Sequence, residues 1–416
     1  MRVQHFKIAL GIVLLQILLA LILAPKNKLP FLGGDAPPDW TLSSEAATWP
    51  ERAYLRLNNW DSFHFFDIAR HGYLMPNHAV TTADVHEFRA NPVFFPAFPF
   101  TARFVSKILG ISLPLSLLLT AESFALLFWF YFLTLLTFLG IPSRWQVLAV
   151  FSLLIHPAAF YLVAGYSESI FIASTLAMIY GCLKYFARPN FVHFTLAALG
   201  GFTMGSSRIV GVSMFAFPFV LSLQKKKQHL AGAVLSLITL AGTVLFFAYT
   251  QIRFGDWKLY FKLQSIGWGN STNYFAIFKP WLYLPRFFRE DTLDSLDRGA
   301  TLFLILLLIY ALRKDFMPKL KAAFEKRGAL YYLALSLLFI SVSGKGNSEL
   351  SGMVRYSFPI FALSLIPLLQ LIQEKPEILS KWQNLKSKLL IASLCLVSFG
   401  GQLYLTVRFL RGRWVS

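Results

Sequence analysis

Residues 114–139 read PLSLLLTAESFALLFWFYFLTLLTFL. One acid, Glu122, interrupts a stretch that, at ~1.5 Å per residue, is long enough to cross the ~30 Å hydrocarbon core of a bilayer as a helix. In hydrocarbon every backbone amide must be bonded internally, so such a stretch predicts a helix rather than an open strand. Working outward, the same pattern recurs at 8–23, 145–164, 169–186, 229–250, 301–312, 330–343, 358–372 and 389–407. A further run, 191–223, is broken only by Ser206-Ser207-Arg208 and reads as two short spans meeting at the break. The expectation is therefore an all-α polytopic membrane protein of about 11 spans, in one membrane-embedded domain over 1–416.

Composition agrees with that reading. Hydrophobic residues make up 56% of the chain, aromatics 16% and charged residues 14%, with mean hydropathy +0.57. Soluble domains carry ~25% charged residues, so soluble, disordered and disulfide-scaffold classes are excluded. Cys182 and Cys395 lie in apolar runs, against a disulfide or zinc site. The net charge of +19 would suggest nucleic acid in a soluble chain, but here the basic residues sit between apolar runs. They are read as topology signals and contacts to anionic lipid, and no nucleic-acid motif is present.

The first run, preceded by Arg2 and Lys7, reads either as a cleaved signal peptide or as a retained helix. The spans that follow favour the retained helix. With the N-terminus cytoplasmic, Arg144, Lys184, Arg188, the three lysines at 225–227, and the basic segments 313–327 and 375–388 all fall on the cytoplasmic side, as positive charge requires. The segment 92–109 is apolar but holds three prolines, Arg103 and Lys107. As a span it would invert every later loop, so it is read as a helix lying at the outer interface. Two extracytoplasmic loops result, 25–111 with interfacial helices and 251–298. Loops of such length are usually functional.

The first loop contains 59–73, NWDSFHFFDIARHGY. As a helix it places Asp61, His64, Phe65 and Ile68 on one face, with Asp67 on another beside Arg70 and His71. Asp61, flanked by aromatics, reads either as a partly desolvated general base or as a helix cap. Asp67 reads as an ion-pair partner of Arg70 or His71. Glu168 opens a span at a membrane boundary, where an ionisable residue is functional by default or else complements the helix dipole. His156 reads as a satisfied buried histidine. Arg208, at the break in 191–223, lies below the membrane surface; it needs an anion, which is either a phosphate or an internal partner such as Glu168. Lys345 and Arg355 flank another outer loop and read either as snorkelling cations or as further phosphate ligands. The Gly-Lys-Gly at 344–346 lacks the rest of a P-loop, 84–87 is not HExxH, and no metal motif is present, so neither metal nor cofactor is expected.

Taken together, these stretches resemble the second mannosyltransferase of the glycosylphosphatidylinositol-anchor pathway and its bacterial relatives, in the GT-C glycosyltransferase superfamily. The matching segments are 60–73 (WDSFHFFDIARHGY), 94–99 (FFPAFP), 157–171 (PAAFYLVAGYSESIF), 207–211 (SRIVG), 254–268 (FGDWKLYFKLQSIGW) and 355–359 (RYSFP). Val210 departs from the family's tendency to Asn before the glycine, and Glu87 is displaced from the acid expected close before FFP. The resemblance implies a GT-C-like bundle and a polyprenyl-phosphate sugar donor, with mannose as the sugar. It implies Asp61 as the catalytic acidic residue of the first outer loop. Trp60, His64, Asp67, Tyr166, Glu168 and Arg208 are expected to contact substrate. So are Trp257, Gln264, Trp268, Lys345, Arg355 and Tyr356.

The expected activity is inverting hexosyl transfer on the outer side of the cytoplasmic membrane. The acceptor is a lipid-linked saccharide, a polysaccharide or a protein. Two other classes compete: a transporter of lipid-linked sugars, which would not need a long acidic outer loop or lack inverted repeats, and a non-catalytic scaffold of the same fold.

Overall fold

The structure, a computed structural model, describes residues 2–25, 48–223, 228–284, 292–316, 326–375, 384–413 and 415. The lysines at 225–227 lie outside the described residues. Every regular element among the described residues is helical. Among these residues eight helices are long and apolar enough to cross a membrane, and the architecture is that of a polytopic membrane protein.

The spans are α1 (Arg2–Leu23), α6 (Leu113–Phe138), α8 (Glu168–Ala187), α11 (His229–Phe254), α13 (Thr292–Phe316), α14 (Lys326–Lys345), α15 (Met353–Glu374) and α16 (Leu385–Leu410). Between α1 and α6 lie α2 (Trp49–Leu55), α3 (Asp61–His71), α4 (Thr82–His86) and α5 (Ala97–Leu109). The remaining helices are α7 (Ser143–Leu154), α9 (Phe191–Gly205), α10 (Phe217–Ser222) and α12 (Leu259–Trp268).

Helix α8 sits at the centre, with 83% of its apolar window buried inside the protein. It packs against α6 and α9. The α8–α9 approach is close enough that a Cβ on Gly200 would fall 2.6 Å from the Met178 amide nitrogen and 2.8 Å from the Ser174 carbonyl oxygen. Only glycine fits there, as at other helix crossings in membranes. Glu122, the acid inside α6, accepts a 2.8 Å hydrogen bond from the Tyr54 hydroxyl.

Three expectations meet the structure in an instructive way. The run at 191–223 does break at Ser206–Arg208. Helix α9 rises along α8, and a 3-10 turn (Ile209–Met214) followed by α10 returns to the end where α11 begins, Gly232 lying against Ser222. The segment at 92–109 forms α5, whose 13 residues reach only ~20 Å and do not cross. Phe104 and Ile108 face outward while Phe98 and Ala102 are buried, as an interfacial helix requires.

The run at 145–164 is not one span. Its helix stops at Leu154, because Pro157 has no amide hydrogen and its ring would strike the Leu153 carbonyl. The chain continues as buried turns around Ala159–Leu162, with Phe160 stacked on Tyr161 at 4.2 Å and against Phe409 at 5.2 Å. The 155–164 half of this run is apolar because it is interior, whereas α7 keeps Val147, Leu148 and Phe151 exposed, and an apolar run inside a protein reads like one facing lipid. Among the described residues, eight long apolar helices and two short ones therefore stand against the expectation of eleven spans.

Candidate functional site

The starts of α3, α8 and α15, the end of α14 and the Ser206–Arg208 break meet at one end of the bundle. Each contributes a charged side chain. Asp61 is the first residue of α3 and Glu168 the first of α8, so both carboxylates sit where the helix dipole favours them. Arg355 stands in the first turn of α15, where the dipole disfavours a cation, so its position depends on its partners.

Those partners are the two carboxylates. The Arg355 Nη1 donates to Asp61 Oδ2 at 2.5 Å, and its Nε donates to Glu168 Oε1. The same Glu168 oxygen accepts from Arg208 Nη1, which also reaches Ser167 Oγ at 3.3 Å. Asp61, Arg355, Glu168 and Arg208 thus form one line of alternating charge. Asp61 does not cap its helix: Trp60 holds the N-cap position, and the Asp61 carboxylate, on the first helical residue, pairs with Arg355. Arg208 takes Glu168, the internal partner, rather than standing free.

Rings seat the guanidiniums. Arg355 lies over Tyr166 at 4.5 Å and Tyr161 at 5.2 Å, and Arg208 lies over Tyr356 at 4.8 Å. The Tyr166 hydroxyl accepts a 3.3 Å bond from the Asp61 amide, and burial pushes that hydroxyl well above its ordinary pKa. The loop bearing Tyr166 approaches α3 closely. Gly165 donates from its amide to Leu57 O and accepts from Ser62 Oγ, and a Cβ there would fall 2.0 Å from Asn58 Oδ1.

Asp61, Ser167, Arg208 and Arg355 line a cleft together with Phe94, Gln264, Trp268, Asn270, Lys345 and Tyr356. Gln264 donates to Val93 O at 3.0 Å and accepts from Asn270 Nδ2 at 3.0 Å, and Lys345 Nζ donates to Asn270 Oδ1 at 3.2 Å. That chain ties the first loop, α12 and α14 together across the cleft mouth. A groove of about 390 Å³ continues from it between α12, α14 and the 3-10 turn, sharing Lys345 and Tyr356 and passing Val212, Phe261, Tyr274 and Ile340. A second apolar groove of about 550 Å³, between α5, α9 and α11, has no lining residue in common with the cleft.

Of the residues nominated from the sequence, Asp61, Arg208, Gln264, Trp268, Lys345, Arg355 and Tyr356 line the cleft, and Tyr166 and Glu168 lie directly behind it. His64 is buried beneath the wall, its ring 5.2 Å from Phe94 and 5.7 Å from Trp268. Burial holds its imidazole down at about 4, with Asp61 opposing and His86 reinforcing that shift. Asp67 is a strut: it binds His71 Nδ1 at 2.9 Å and Asn91 Nδ2 at 2.5 Å, fixing the turn after α3. Trp60 caps α3 at φ 53, a backbone region rare for a bulky residue. Trp257 stands 50% exposed on the surface away from the cleft, because α11 ends at Phe254 and the turn that follows points outward. His156 is satisfied, accepting from the Ala158 amide at 3.1 Å and meeting Ser357 Oγ at 3.2 Å.

Asp297 was not singled out by the sequence reading. It is fully buried in α13 and accepts from the Gly352 amide at 2.9 Å and the Val354 amide at 2.6 Å, holding the turn that launches Arg355. Its stretch, 291–300 (DTLDSLDRGA), reads as part of the polar outer loop, so the sequence holds no local signal for it.

No protein-family model matches the chain, and no curated protein matches it.

Proposed function

We propose that this protein is an integral-membrane glycosyltransferase. It transfers a sugar, mannose by the resemblance, from a polyprenyl-phosphate donor to an acceptor hydroxyl on the outer side of the cytoplasmic membrane. The observation that carries this reading is the cleft itself. Three regions far apart in the chain bring one carboxylate, Asp61, together with Arg208 and with Lys345 and Arg355, beside a groove that leads away along the membrane helices.

The geometry suits a single displacement. An acceptor hydroxyl attacks the anomeric carbon while Asp61 takes its proton, and the phosphate leaves on the opposite face, so configuration inverts. Phosphate is already a good leaving group, and cations suffice to stabilise the charge it gains. Trp268 and Phe94 offer ring faces for the sugar. The groove sharing Lys345 and Tyr356 suits the lipid tail, whereas the separate groove beside α5 does not connect to the charged groups. Lys184 and Arg188 stand at the far end of α8 from the cleft, and positive charge marks the cytoplasmic side. This supports an outer-facing site.

The test is incubation of purified protein in lipid nanodiscs with labelled polyprenyl-phosphate mannose and membrane-derived acceptors, followed by mass analysis. Transfer is expected, and Asp61→Asn should lower its rate ~10²–10⁴-fold, as loss of a general base does. Asp61→Asn protein that transfers at the wild-type rate removes Asp61 as the base. Wild-type protein that binds donor but only moves it across vesicles favours transport instead.

A further inference from the structure

The charge of the cleft can be counted. Arg208, Arg355 and Lys345 contribute three positive charges, and Asp61 and Glu168 two negative ones, so the sum is 3 − 2 = +1. Both carboxylates are committed to the two arginines. Lys345 is different: among the described residues its ammonium hydrogen-bonds only the neutral Asn270 amide oxygen, and its interaction with the buried Asp297 carboxylate, which does not line the cleft, is through space without an ion-pair contact. It is half-buried, lines both the cleft and the groove, and has no ion-pair partner among the described residues.

We propose that Lys345 seats the donor's phosphate before reaction, and that Arg355 exchanges Asp61 for the departing phosphate during it. This rests on the glycosyl-transfer reading. A sugar joined to a lipid through one phosphate is a phosphodiester with a single negative charge, which the cleft's surplus of one balances. A diphosphate-linked sugar brings one more negative charge, which a partly desolvated site leaves uncompensated at high cost.

The balance also holds through the reaction. The acceptor oxygen forms a bond to the anomeric carbon, and its proton passes to Asp61. The bond from the anomeric carbon to the phosphate oxygen breaks, and its electron pair stays on the phosphate. Asp61 becomes neutral as the phosphate becomes a monoester, with close to two negative charges at pH 7. The charge lost from Asp61 reappears on the phosphate. Arg355 is the cation bound to Asp61 and also lines the cleft, so its Nη1 is released as the phosphate needs it. Lys345 therefore acts in the ground state, and Arg355 acts more strongly in the transition state. An interaction of the first kind is read in KM and one of the second kind in kcat.

The experiment combines kinetics with equilibrium binding of a short-chain polyprenyl phosphate that carries no sugar, in nanodiscs. Lys345→Met should raise KM for the donor about 10- to 100-fold with kcat within about two-fold, the size of a lost charged hydrogen bond. Arg355→Lys keeps the charge but not the fork, and should lower kcat by a similar factor with KM little changed. Asp61→Asn imitates the protonated acid. It should bind the sugar-free phosphate about 10-fold more tightly than wild type, and Asp61→Asn/Arg355→Gln should lose that gain. Unchanged KM in Lys345→Met, or no gain in Asp61→Asn, overturns the proposal even where wild type transfers sugar. If wild type transfers nothing, the binding arm still decides the phosphate seat: weaker binding by Lys345→Met upholds it and unchanged binding rejects it.

Discussion

Glu168→Gln tests whether the charged line behind the cleft holds the bundle together. Glu168 and its two guanidinium partners have side chains only 6%, 12% and 11% exposed. The substitution keeps the shape of Glu168 and removes its charge, leaving two cations to share Asp61. Breaking a buried ion pair from one side costs ~3–5 kcal/mol, because a charge remains without compensation. The glutamine oxygen still accepts N–H bonds, which returns about 1 kcal/mol. The expected loss is therefore about 2–4 kcal/mol. Removing the stranded cation as well, in Glu168→Gln/Arg208→Gln, should recover part of it and give a coupling of ~1–3 kcal/mol. Reversible unfolding in mixed micelles by added SDS, followed by helical ellipticity, measures all three variants against wild type. A loss below about 1 kcal/mol together with strictly additive single variants would refute the reasoning, since the charges would then be acting independently.

Asp297→Asn should cost about 1–3 kcal/mol in the same unfolding assay, because asparagine offers one acceptor oxygen and its NH2 group must face the other of the Gly352 and Val354 amides, and should slow transfer by displacing Arg355; wild-type values for both would dismiss the strut. Gly200→Ala drives a methyl group into the α8 backbone and should destabilise by ~1–3 kcal/mol, while Gly11→Ala, which meets nothing within 4 Å, should not; equal thermal stability of the two would argue against the close crossing. The His64 imidazole is held at about 4 in the folded chain, against 6.5 when free. The unfolded chain takes up a proton in that window and the folded chain does not, so stability falls as pH drops from about 6.5 to about 4, by on the order of 3 kcal/mol at most. His64→Phe should flatten that slope, and an unaltered slope would show that other groups carry it.

How far the sequence could be read depends on the range over which each feature is specified. Apolar length and the prolines at 92–99 are local, so the spans, the interfacial α5 and the break at Ser206–Arg208 were legible. The interruption at Pro157 was harder, because a run buried inside protein and a run facing lipid share one composition. Candidate residues are legible one at a time, as charges in or beside apolar runs, whereas Asp297 stands among other charges in 291–298 and is not. The pairing of the candidates is not legible either. Asp61 and Arg355 lie 294 positions apart and Glu168 and Arg355 lie 187 apart, so whether Asp61 capped its helix or met a guanidinium was decided only when the chain packed. The surface position of Trp257 and the Asn91 bond to Asp67 were settled in the same way, whereas the Asp67–His71 pair, four residues apart on one helix, is legible in the sequence.

The amino-acid order alone thus determined a helical membrane chain and most of the charged groups that matter, because hydrophobic length and the cost of an ionised group in an apolar run are properties of a segment. Only the tertiary structure decided which charges of the cleft neutralise one another and that, among the described residues, Lys345 stands there without an ion-pair partner. Coulomb energy depends on distance in space, and distance in space is fixed by helix packing that no single segment contains.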